Sequence, residues 1–544
     1  MGRVTRTLRW FSFRFPRLAK WAVRHPAAAG ATAAVLVALV VLASITIPPL
    51  FARCGHGMSA DPSGTCIGID LDSGPFAADE PDRMRALEAQ IRASNDAVTG
   101  NYVSVVLFQD MSPNPDVDTT HYSDLYPDIE GALTGVWRAN HTAAFQGSLP
   151  RVKLFLASMG SQYTSWSEAV DHIMDSAAAN HVVSVIGLGQ SLDHTRAAAA
   201  KLTGQAHLPV IGATVTGDTM NFDPDGKLNA GFFRASPTNT YAVLAATRYI
   251  ASIEPDQSRV AIVQDTTPGD DYTQTLSAAA VKDMPTAHRF PFTSPGPLPT
   301  NMSRSDPLLT QFAYLDQNIC SVAPTVVYFA GRGADVGPFV QSWTQGNTPC
   351  ANGDLTVVTG DDGGAALTET GLRDAIRGGH VRVMFTADAS PDEWGPCDRN
   401  STEQASYNTF QAVFSGKPDV CTGQLVRATD GAAPLGFALP DLAGGGAILA
   451  HDAMMVAVTA ARRAAAGNAD SVVRAPLSQI GLIEEMRCNN SIPGASGTIE
   501  YSPDQSQYGN PVNKPVPIVE IHADGTTATV WNKAITPGST RASC

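Results

Sequence analysis

The sequence predicts an α/β protein of two doubly wound lobes, preceded by one transmembrane helix. Three observations predict this architecture. Short apolar segments rich in Val and Ile alternate with segments of helical periodicity, the alternation stops at "GFFRASPTN" (231–239) and restarts after it, and the first 52 residues differ in composition from the rest. Apolar strands that alternate with helices form parallel sheets covered on both faces, so two such series predict two sheets.

The N-terminal region predicts a membrane anchor. Residues 1–26 hold seven Lys or Arg and no Asp or Glu, and residues 26–52 carry no charge. An apolar helix over 27–50 can cross about 30 Å of hydrocarbon. Because the basic side of such a helix stays in the cytoplasm, we expect a single-pass protein of the cell membrane with an extracytoplasmic body. A cleaved signal peptide and a lipid-modified Cys54 are the alternatives.

The body that follows the anchor is acidic. The whole chain has a formal charge of −14 even though its first 26 residues contribute only positive charges. Nucleic-acid binding requires a basic surface, so we expect no nucleic-acid partner. The stretch "GLGQSL" (187–192) lacks the third glycine of a dinucleotide fingerprint, and no phosphate-binding G-x-x-x-x-G-K-[ST] motif occurs. We therefore expect no cofactor.

Eight cysteines follow the predicted membrane span. An even number on an exported body suggests disulfides, and the spacings permit pairing of neighbours along the chain, although eight cysteines allow many other connectivities. There is no CxxC pair and no Cys/His cluster with zinc-finger spacing, so no metal site is predicted. The cysteines are Cys54, Cys66, Cys320, Cys350, Cys397, Cys421, Cys488 and Cys544.

The elements of the first series begin after a Gly/Pro/Asp-rich stretch (53–78), which we interpret as a stalk. Acidic residues open the helical pattern at 79–98, as a helix N-terminus prefers. Strands are predicted at 102–108, 151–158, 181–187 and 208–214, and helices at 128–145, 165–180 and 191–206.

The second series repeats this alternation and then changes character. Helices are predicted at 241–253, 270–282 and 336–346, and strands at 259–265, 325–331 and 354–360. From 497 to 531 the residues alternate and turn dipeptides recur, which predicts antiparallel strands.

Several of these segments, in this order, resemble the type I periplasmic solute-binding proteins, in particular the branched-chain amino-acid-binding group. They include "QDMSP" (109–113), "VVSVIGLGQS" (182–191), "LPVIGATVTGDTMN" (208–221), "RVAIVQDTTPGDDYTQTL" (259–276), "VVYFAGRGADVGPFVQSW" (326–343), "LTVVTGDDGG" (355–364), "HDAMMVAVTAARRA" (451–464) and "GASGTIEYSPD" (494–504). The resemblance covers about residues 100–533.

The resemblance implies two Rossmann-like lobes joined by three crossovers, with a small ligand enclosed between them. Lobe one would comprise 101–238 and 391–485, and lobe two 239–390 and 486–533, after a stalk and leading helix at 51–100 and before a tail at 534–544. It also implies an ABC-type permease as partner. The alternation of strands and helices predicts the same location for the site, because open α/β sheets bind ligands beyond the carboxyl ends of their strands.

Three hydroxyl residues of lobe one match positions that meet the ligand's α-carboxylate in that family. Ser191 follows a buried strand, where backbone N–H groups and the helix dipole favour an anion. Its alternative role is to cap the following helix. Thr214 and Thr216 match the next carboxylate contacts, and ordinary turn chemistry is their alternative.

Four residues of lobe two complete the implied site. Tyr272 matches a tyrosine that faces the ligand, although Thr273 replaces the family's glycine; a helix-surface tyrosine is the alternative. Asp362, with Asp361 as its rival, matches the acid that meets the ligand's ammonium group. A buried carboxylate must be paired, so an acid at a cleft is either directed at the ligand or bonded to loop amides. Arg332 stands where the family has an aromatic residue. It could bind a second carboxylate or a phosphate bidentately, or be an exposed loop arginine.

Two other functions compete with ligand delivery. "GQSLD" (189–193) is one residue short of the nucleophile elbow of α/β hydrolases, and Asp362 and His451 follow Ser191 in hydrolase order, but Asp193 occupies a position that requires glycine. We therefore expect no enzyme. A ligand sensor or scaffold is the second competitor. The cytoplasmic stretch of about 25 residues is too short for a signalling domain, which favours delivery.

Overall fold

A computed structural model describes residues 54–72, 74–296, 302–345, 350, 353–368, 370–395, 397–398 and 401–532. The predicted basic segment and transmembrane helix lie outside these residues. Within the described ranges, no helix is both long and apolar enough to cross a membrane.

The strands of the described chain form two large sheets and one small pair. The first sheet holds Met58–Ala60 (β1), Cys66–Ile69 (β2), Tyr102–Gln109 (β3), Arg151–Ser158 (β4), Val182–Gly187 (β5), Val210–Gly212 (β6) and Phe232–Arg234 (β7). The second holds Val260–Asp265 (β8), His288–Phe292 (β9), Val326–Ala330 (β10), Leu355–Thr359 (β11), Val381–Thr386 (β12), Ile518–Ile521 (β15) and Thr527–Trp531 (β16). Ile492–Gly494 (β13) pairs with Gly497–Ile499 (β14).

Helices connect and cover these strands. They are Asp82–Asp96 (α1), Tyr122–His141 (α2), Trp166–Ala177 (α3), Asp193–Gln205 (α4), Asn239–Ile253 (α5), Asp271–Asp283 (α6), Ser305–Cys320 (α7), Gly333–Gln345 (α8), Thr370–Ile376 (α9), Thr402–Ser415 (α10), Gly446–Ala465 (α11), Ala469–Arg474 (α12) and Leu477–Glu484 (α13). Short 3₁₀ turns add to these, and one of them, Asp361–Thr368, carries two of the predicted site residues.

The two sheets share one strand order. In the first, the parallel strands run β4-β3-β5-β6-β7, and in the second β9-β8-β10-β11-β12. Both orders are 2-1-3-4-5 along the chain, the doubly wound order in which ligands bind at the carboxyl ends of the strands. Antiparallel strands extend one edge of each sheet: β2 and β1 beside β4, and β15 and β16 beside β12. The predicted α/β fold class is therefore confirmed.

Each sheet is buried on both faces. Successive residues of a strand point to opposite sides, and both sets pack into apolar clusters. Along β3, Val105 and Leu107 pack into one apolar cluster, while Val106 and Phe108 pack into another. Along β8, Val263 lies in a third cluster, and Val260 and Ile262 lie in a fourth. This explains why the strands are continuous apolar runs in the sequence.

The chain passes between the lobes three times. It leaves the first sheet after β7, returns after β12 to α10, which packs on α2, and crosses again between β14 and β15. Met486, Ile492 and Ile499 belong to the apolar cluster of lobe one, so the last crossover lies after residue 499 and not near 485 as the resemblance implies.

The stretch at 53–78 is not a stalk. Its strands β1 and β2 extend the first sheet, with Gly68 opposite Ser158 and Ile69 opposite Ala157. Ile67, Ile69 and Phe76 are fully buried. The sequence alone suggests a stalk because its glycines and aspartates are typical of loops, and only the sheet edge reveals where its few apolar residues pack.

Disulfides join neighbouring cysteines along the chain. Cys54 pairs with Cys66, Cys320 with Cys350, and Cys397 with Cys421, as sequential pairing predicts. Cys488 is disulfide-bonded too. Its predicted partner, Cys544, lies outside the described residues.

Candidate functional site

A cavity of about 750 Å³ lies between the lobes. Its walls come from loops at the carboxyl ends of strands in both sheets, namely those after β3, β5 and β6 in lobe one and after β8, β10, β11 and β12 in lobe two. Six of the seven predicted ligand-binding residues line it: Ser191, Thr214, Tyr272, Arg332, Asp361 and Asp362. The strand order therefore brings together residues that lie far apart in the sequence.

Ser191 does not cap the helix that follows it. Helix α4 begins at Asp193 with Leu192 at the N-cap position, and the Ser191 hydroxyl accepts the Gly217 amide N–H at 3.0 Å. Gly189, two residues earlier, has φ +64°, and a Cβ there would lie 2.1 Å from the Tyr163 hydroxyl. Glycine is required here because the chain turns tightly against that side chain.

The two threonines occupy different places. Thr214 lines the cavity and donates its hydroxyl proton to the Gly189 carbonyl at 3.2 Å. Thr216 is fully buried and is not among the cavity-lining residues. Its hydroxyl lies 3.3 Å from both carboxylate oxygens of Asp361, which connects lobe one to lobe two. Both hydroxyl protons are thus directed at protein acceptors.

Arg332 is a buried, paired arginine and not an exposed loop residue. It is 3% exposed, and its Nε and Nη2 donate to the two carboxylate oxygens of Asp270, each at 2.7 Å. Burial lowers the pKa of Arg332, but the Asp270 and Asp362 carboxylates outweigh burial and raise it above the ordinary value. Two of the guanidinium nitrogens that could donate to a ligand anion, Nε and Nη2, are therefore already occupied.

Tyr272 packs beneath that arginine. The Arg332 guanidinium lies 4.7 Å from the centre of the Tyr272 ring, within the range of a cation–π contact. The ring is 2% exposed, so Tyr272 is not a helix-surface residue. Burial, and next the Asp361 and Asp362 carboxylates, raise the pKa of its hydroxyl.

The two adjacent aspartates have different partners. Asp362 accepts the Gly333 amide N–H at 2.9 Å and lies 3.7 Å from Nη1 of Arg332, so its charge is partly compensated. Asp361 has the Thr216 hydroxyl. Burial, and next the Asp362 charge, raise the pKa of Asp361 to about 7.

Six further aspartates that the sequence analysis did not single out line the cavity, among them Asp388, Asp110 and Asp128. Asp388 follows β12 and is 5% exposed; burial, and next the Asp361 charge, raise its pKa well above the ordinary value. Asp110 follows β3, and burial and then Asp118 raise its pKa to about 8. Asp128 lies on α2, and burial raises its pKa to about 7. The sequence pattern that could have indicated Asp388 and Asp110 is an aspartate within two residues of the end of a strand.

The geometry of a serine hydrolase is not formed. His451 is fully buried in α11. One ring nitrogen lies 2.8 Å from an Asp452 carboxylate oxygen and the other 2.8 Å from the Arg138 guanidinium. Because both nitrogens are engaged away from Ser191, His451 is not placed to accept a proton from that hydroxyl.

Solved structures share this architecture over most of the chain. A leucine-binding protein LivK from Thermotoga maritima matches with 16% identity over 80% of this chain and 99% of that chain, at a TM-score of 0.53. A solute-binding protein of an ABC transporter from R. palustris, in complex with 4-hydroxybenzoate, matches with 15% identity over 80% and 98%, at 0.53. LivJ from Streptococcus pneumoniae, in complex with isoleucine, matches with 14% identity over 80% and 100%, at 0.52.

No family model matches the sequence, and a search of curated proteins found no match. The structural likeness nevertheless spans both lobes and nearly the whole of each compared chain. The protein therefore has the fold of the type I periplasmic binding proteins, as the resemblance in its sequence predicts.

Proposed function

From the type I periplasmic binding protein fold of this chain, we propose that it is a membrane-anchored solute-binding protein. It captures a small, amino-acid-like ligand between its two lobes and delivers it to an ABC-type permease. The N-terminal helix holds the protein in the cell membrane, with the lobes outside the cytoplasm. The body acts by binding and not by catalysis.

The interlobe cavity is the observation that carries this proposal. Its volume of about 750 Å³ is within the usual range for small-molecule sites, roughly 300–1,000 Å³. Loops from both sheets converge on it, so a ligand that contacts both lobes favours the closed arrangement. Compared proteins of the same fold include one described as leucine-binding and one solved with isoleucine.

The adjacent carboxylates Asp361 and Asp362 support an ammonium group on the ligand. Asp362 is partly compensated by Arg332 and a backbone amide, whereas among the described residues Asp361 accepts its side-chain hydrogen bond from the uncharged Thr216 hydroxyl. A ligand ammonium beside Asp361 would supply the missing positive charge. Such a pair is strong in a site from which water is excluded.

A thermal-shift screen of the full chain in mild detergent tests ligand capture. Amino acids, dicarboxylates and small amides are added one at a time, and at a hundredfold excess over Kd the true ligand stabilises the folded protein by about 2.7 kcal/mol. Asp361→Asn should abolish the shift for amines, while the exposed control Asp374→Asn should retain it. If no solute in the panel raises the melting temperature, ligand capture is wrong.

A protease-protection experiment tests the anchor. Intact cells that express the full chain are treated with protease added outside. We expect the body to be digested while a soluble cytoplasmic protein of the same cells, probed in parallel as the control, stays intact. Protection of the body would place the lobes in the cytoplasm and contradict the proposed topology.

A further inference from the structure

The interlobe cavity is lined by acids and offers almost no unpaired positive charge. Eight aspartates and two arginines, and no lysine, occur among the described residues that line it. Arg83 donates to Glu130 and Asp441 at 2.7 Å each, and Arg332 is held by Asp270. Both arginines are therefore neutralised by protein carboxylates.

Three buried acceptor atoms on residues that line this cavity have no hydrogen-bond partner among the described residues. They are Oδ1 of Asp388, Oε1 of Gln109 and Oδ2 of Asp110, and these residues are 5%, 4% and 2% exposed. The Asp110 carboxyl also lies beside that of Asp118. All three residues line the cavity. Leaving a buried polar atom unpaired costs about 1–3 kcal/mol, and more when the group is charged, so these atoms indicate a hydrogen-bond donor that binds there.

These acceptors fall into two groups on opposite lobes. One group, Asp361 and Asp388, follows strands β11 and β12 of the second sheet. The other, Gln109 and Asp110 with Asp128 of α2, lies on the first sheet's side of the cavity. A single ammonium group satisfies only one of them.

The cavity wall also includes apolar side chains. They are Leu125, Leu367, Leu439 and Leu449. Aliphatic side chains pack well against the methylene groups of a ligand, but they offer no partner to a charged group. Of the three hydroxyls matched to a carboxylate site, those of Thr214 and Thr216 direct their protons to protein oxygens.

We infer that the ligand carries at least two ammonium groups joined by an aliphatic chain, one bound by Asp361 and Asp388 and the other by Gln109, Asp110 and Asp128. This rests on the proposed capture of a solute in this cavity and narrows its chemistry. The shared chemistry occurs in polyamines and in cationic amino acids. Burial raises the pKa values of Asp110 and Asp388 because it disfavours their charged forms. A bound dication would place a positive charge beside each carboxylate and so stabilise the charged form.

Isothermal titration of the full chain, in mild detergent at pH 7.5, tests the inference. The probes are 1,4-diaminobutane, spermidine and lysine, with 1-aminobutane as the singly charged control and leucine and glutamate as zwitterionic and anionic controls. We expect 1,4-diaminobutane to bind at least tenfold more tightly than 1-aminobutane. Lysine binding more tightly than the diamine also supports the inference and identifies a cationic amino acid as the source.

Variants in each acceptor group sharpen the test. Asp388→Asn and Asp110→Asn should each weaken diamine binding roughly ten- to a hundredfold, the usual loss for a hydrogen bond to a charged group. Asp175→Asn, on the exposed face of α3, is the matched control and should not change it. Circular dichroism checks folding, and if one variant fails to fold, the other, on the opposite lobe, carries the test.

Two outcomes contradict the inference and are distinguishable. If leucine or glutamate binds and no dication does, the two-ammonium ligand is wrong while solute capture stands. If none of these solutes binds and the wider thermal-shift panel is also silent, the proposed function fails with it. Equal affinity for 1-aminobutane and 1,4-diaminobutane likewise overturns the second ammonium site.

Discussion

At the scale of single residues, the structure changes the interpretation of Arg332 most. The sequence leaves open a ligand-binding arginine or an exposed one, because its partner Asp270 is 62 residues away. In the fold both residues follow strands of the same sheet and form a buried, bidentate pair. The arginine thereby holds the loops around Tyr272 and Asp362 in place, and its guanidinium group is not fully available to a ligand.

Removal of Asp270 should destabilise the protein strongly. Asp270→Ala leaves the buried Arg332 charge with only the more distant Asp362 carboxylate among the described acids that pair with it, and it also removes the N-cap of α6, which accepts the Thr273 amide N–H. Breaking a buried pair costs about 3–5 kcal/mol. Urea unfolding measures the loss. Asp374→Ala, which removes an exposed pair with Arg377, should cost about 0–1 kcal/mol, and equal losses for the two variants would contradict the structural role of the Arg332 pair.

Buried cavity acids predict that the ligand-free protein loses stability as the pH rises. The pKa values of Asp128 and Asp361 are raised to about 7 and that of Asp110 to about 8, from an ordinary value of 3.8. The folded state therefore binds more protons than the unfolded state between about pH 4 and pH 8, so the free energy of unfolding falls across that window.

Urea unfolding at pH 5, 6, 7 and 8 measures this slope. Asp128→Asn removes one of the titrating groups and should flatten the slope below pH 7 by up to about 1.4 kcal/mol per pH unit. A wild-type protein that is most stable at pH 8 would show that these acids are not buried in the ligand-free state.

At the scale of elements, two glycines allow helices α2 and α11 to approach each other. A Cβ at Gly131 would lie 2.0 Å from the Ala447 carbonyl oxygen, and one at Gly135 would lie 2.7 Å from the Met454 side chain. The helical pattern of α2 predicts its inner face, but the reason for glycine in its middle becomes visible only when α11, some 300 residues later, is in place.

Gly131→Ala should therefore destabilise lobe one by roughly 1–3 kcal/mol or more, since the clash is with backbone atoms that cannot rotate away. Gly204, near the end of α4, is the matched control because a Cβ there meets nothing within 4 Å. Gly204→Ala should stabilise the protein by about 0.5–1 kcal/mol. Melting temperatures of the two variants should move in opposite directions, and a neutral Gly131→Ala would contradict the close crossing.

At the scale of the whole molecule, the folded body begins before residue 79. Strands β1 and β2 and the Cys54–Cys66 disulfide belong to lobe one. A fragment of residues 54–544 should unfold cooperatively under oxidising conditions. A fragment of residues 79–544 should be less stable by several kcal/mol, because Ile67, Ile69 and Phe76 each contribute about 1.5–3 kcal/mol through burial. Equal urea midpoints would show that this segment is dispensable.

The sequence by itself determined the fold class and about half of the elements. Apolar runs bounded by Gly and Asp predicted β3, β4, β5, β8, β10 and β11 within a residue or two, because a strand buried on both faces must be apolar throughout. It also indicated which loops carry the site, since parallel strands present their carboxyl ends at one edge. Strands β7, β9 and β12 were missed. β7 has only three residues, β9 is largely exposed, and charged residues interrupt β9 and β12.

Only the tertiary structure decided which side chains face each other across the cavity. The pairing of Arg332 with Asp270, the contact of Thr216 with Asp361, and the place of Asp388 all join residues from different strands or different lobes. Sequence patterns report a residue's own burial and periodicity, whereas charge compensation depends on distances between segments that only chain folding brings together. For this reason the sequence predicted partners for both the carboxylate and the ammonium group of a ligand, whereas only the folded structure shows that Arg332 and the hydroxyls of Thr214 and Thr216 are directed at protein oxygens.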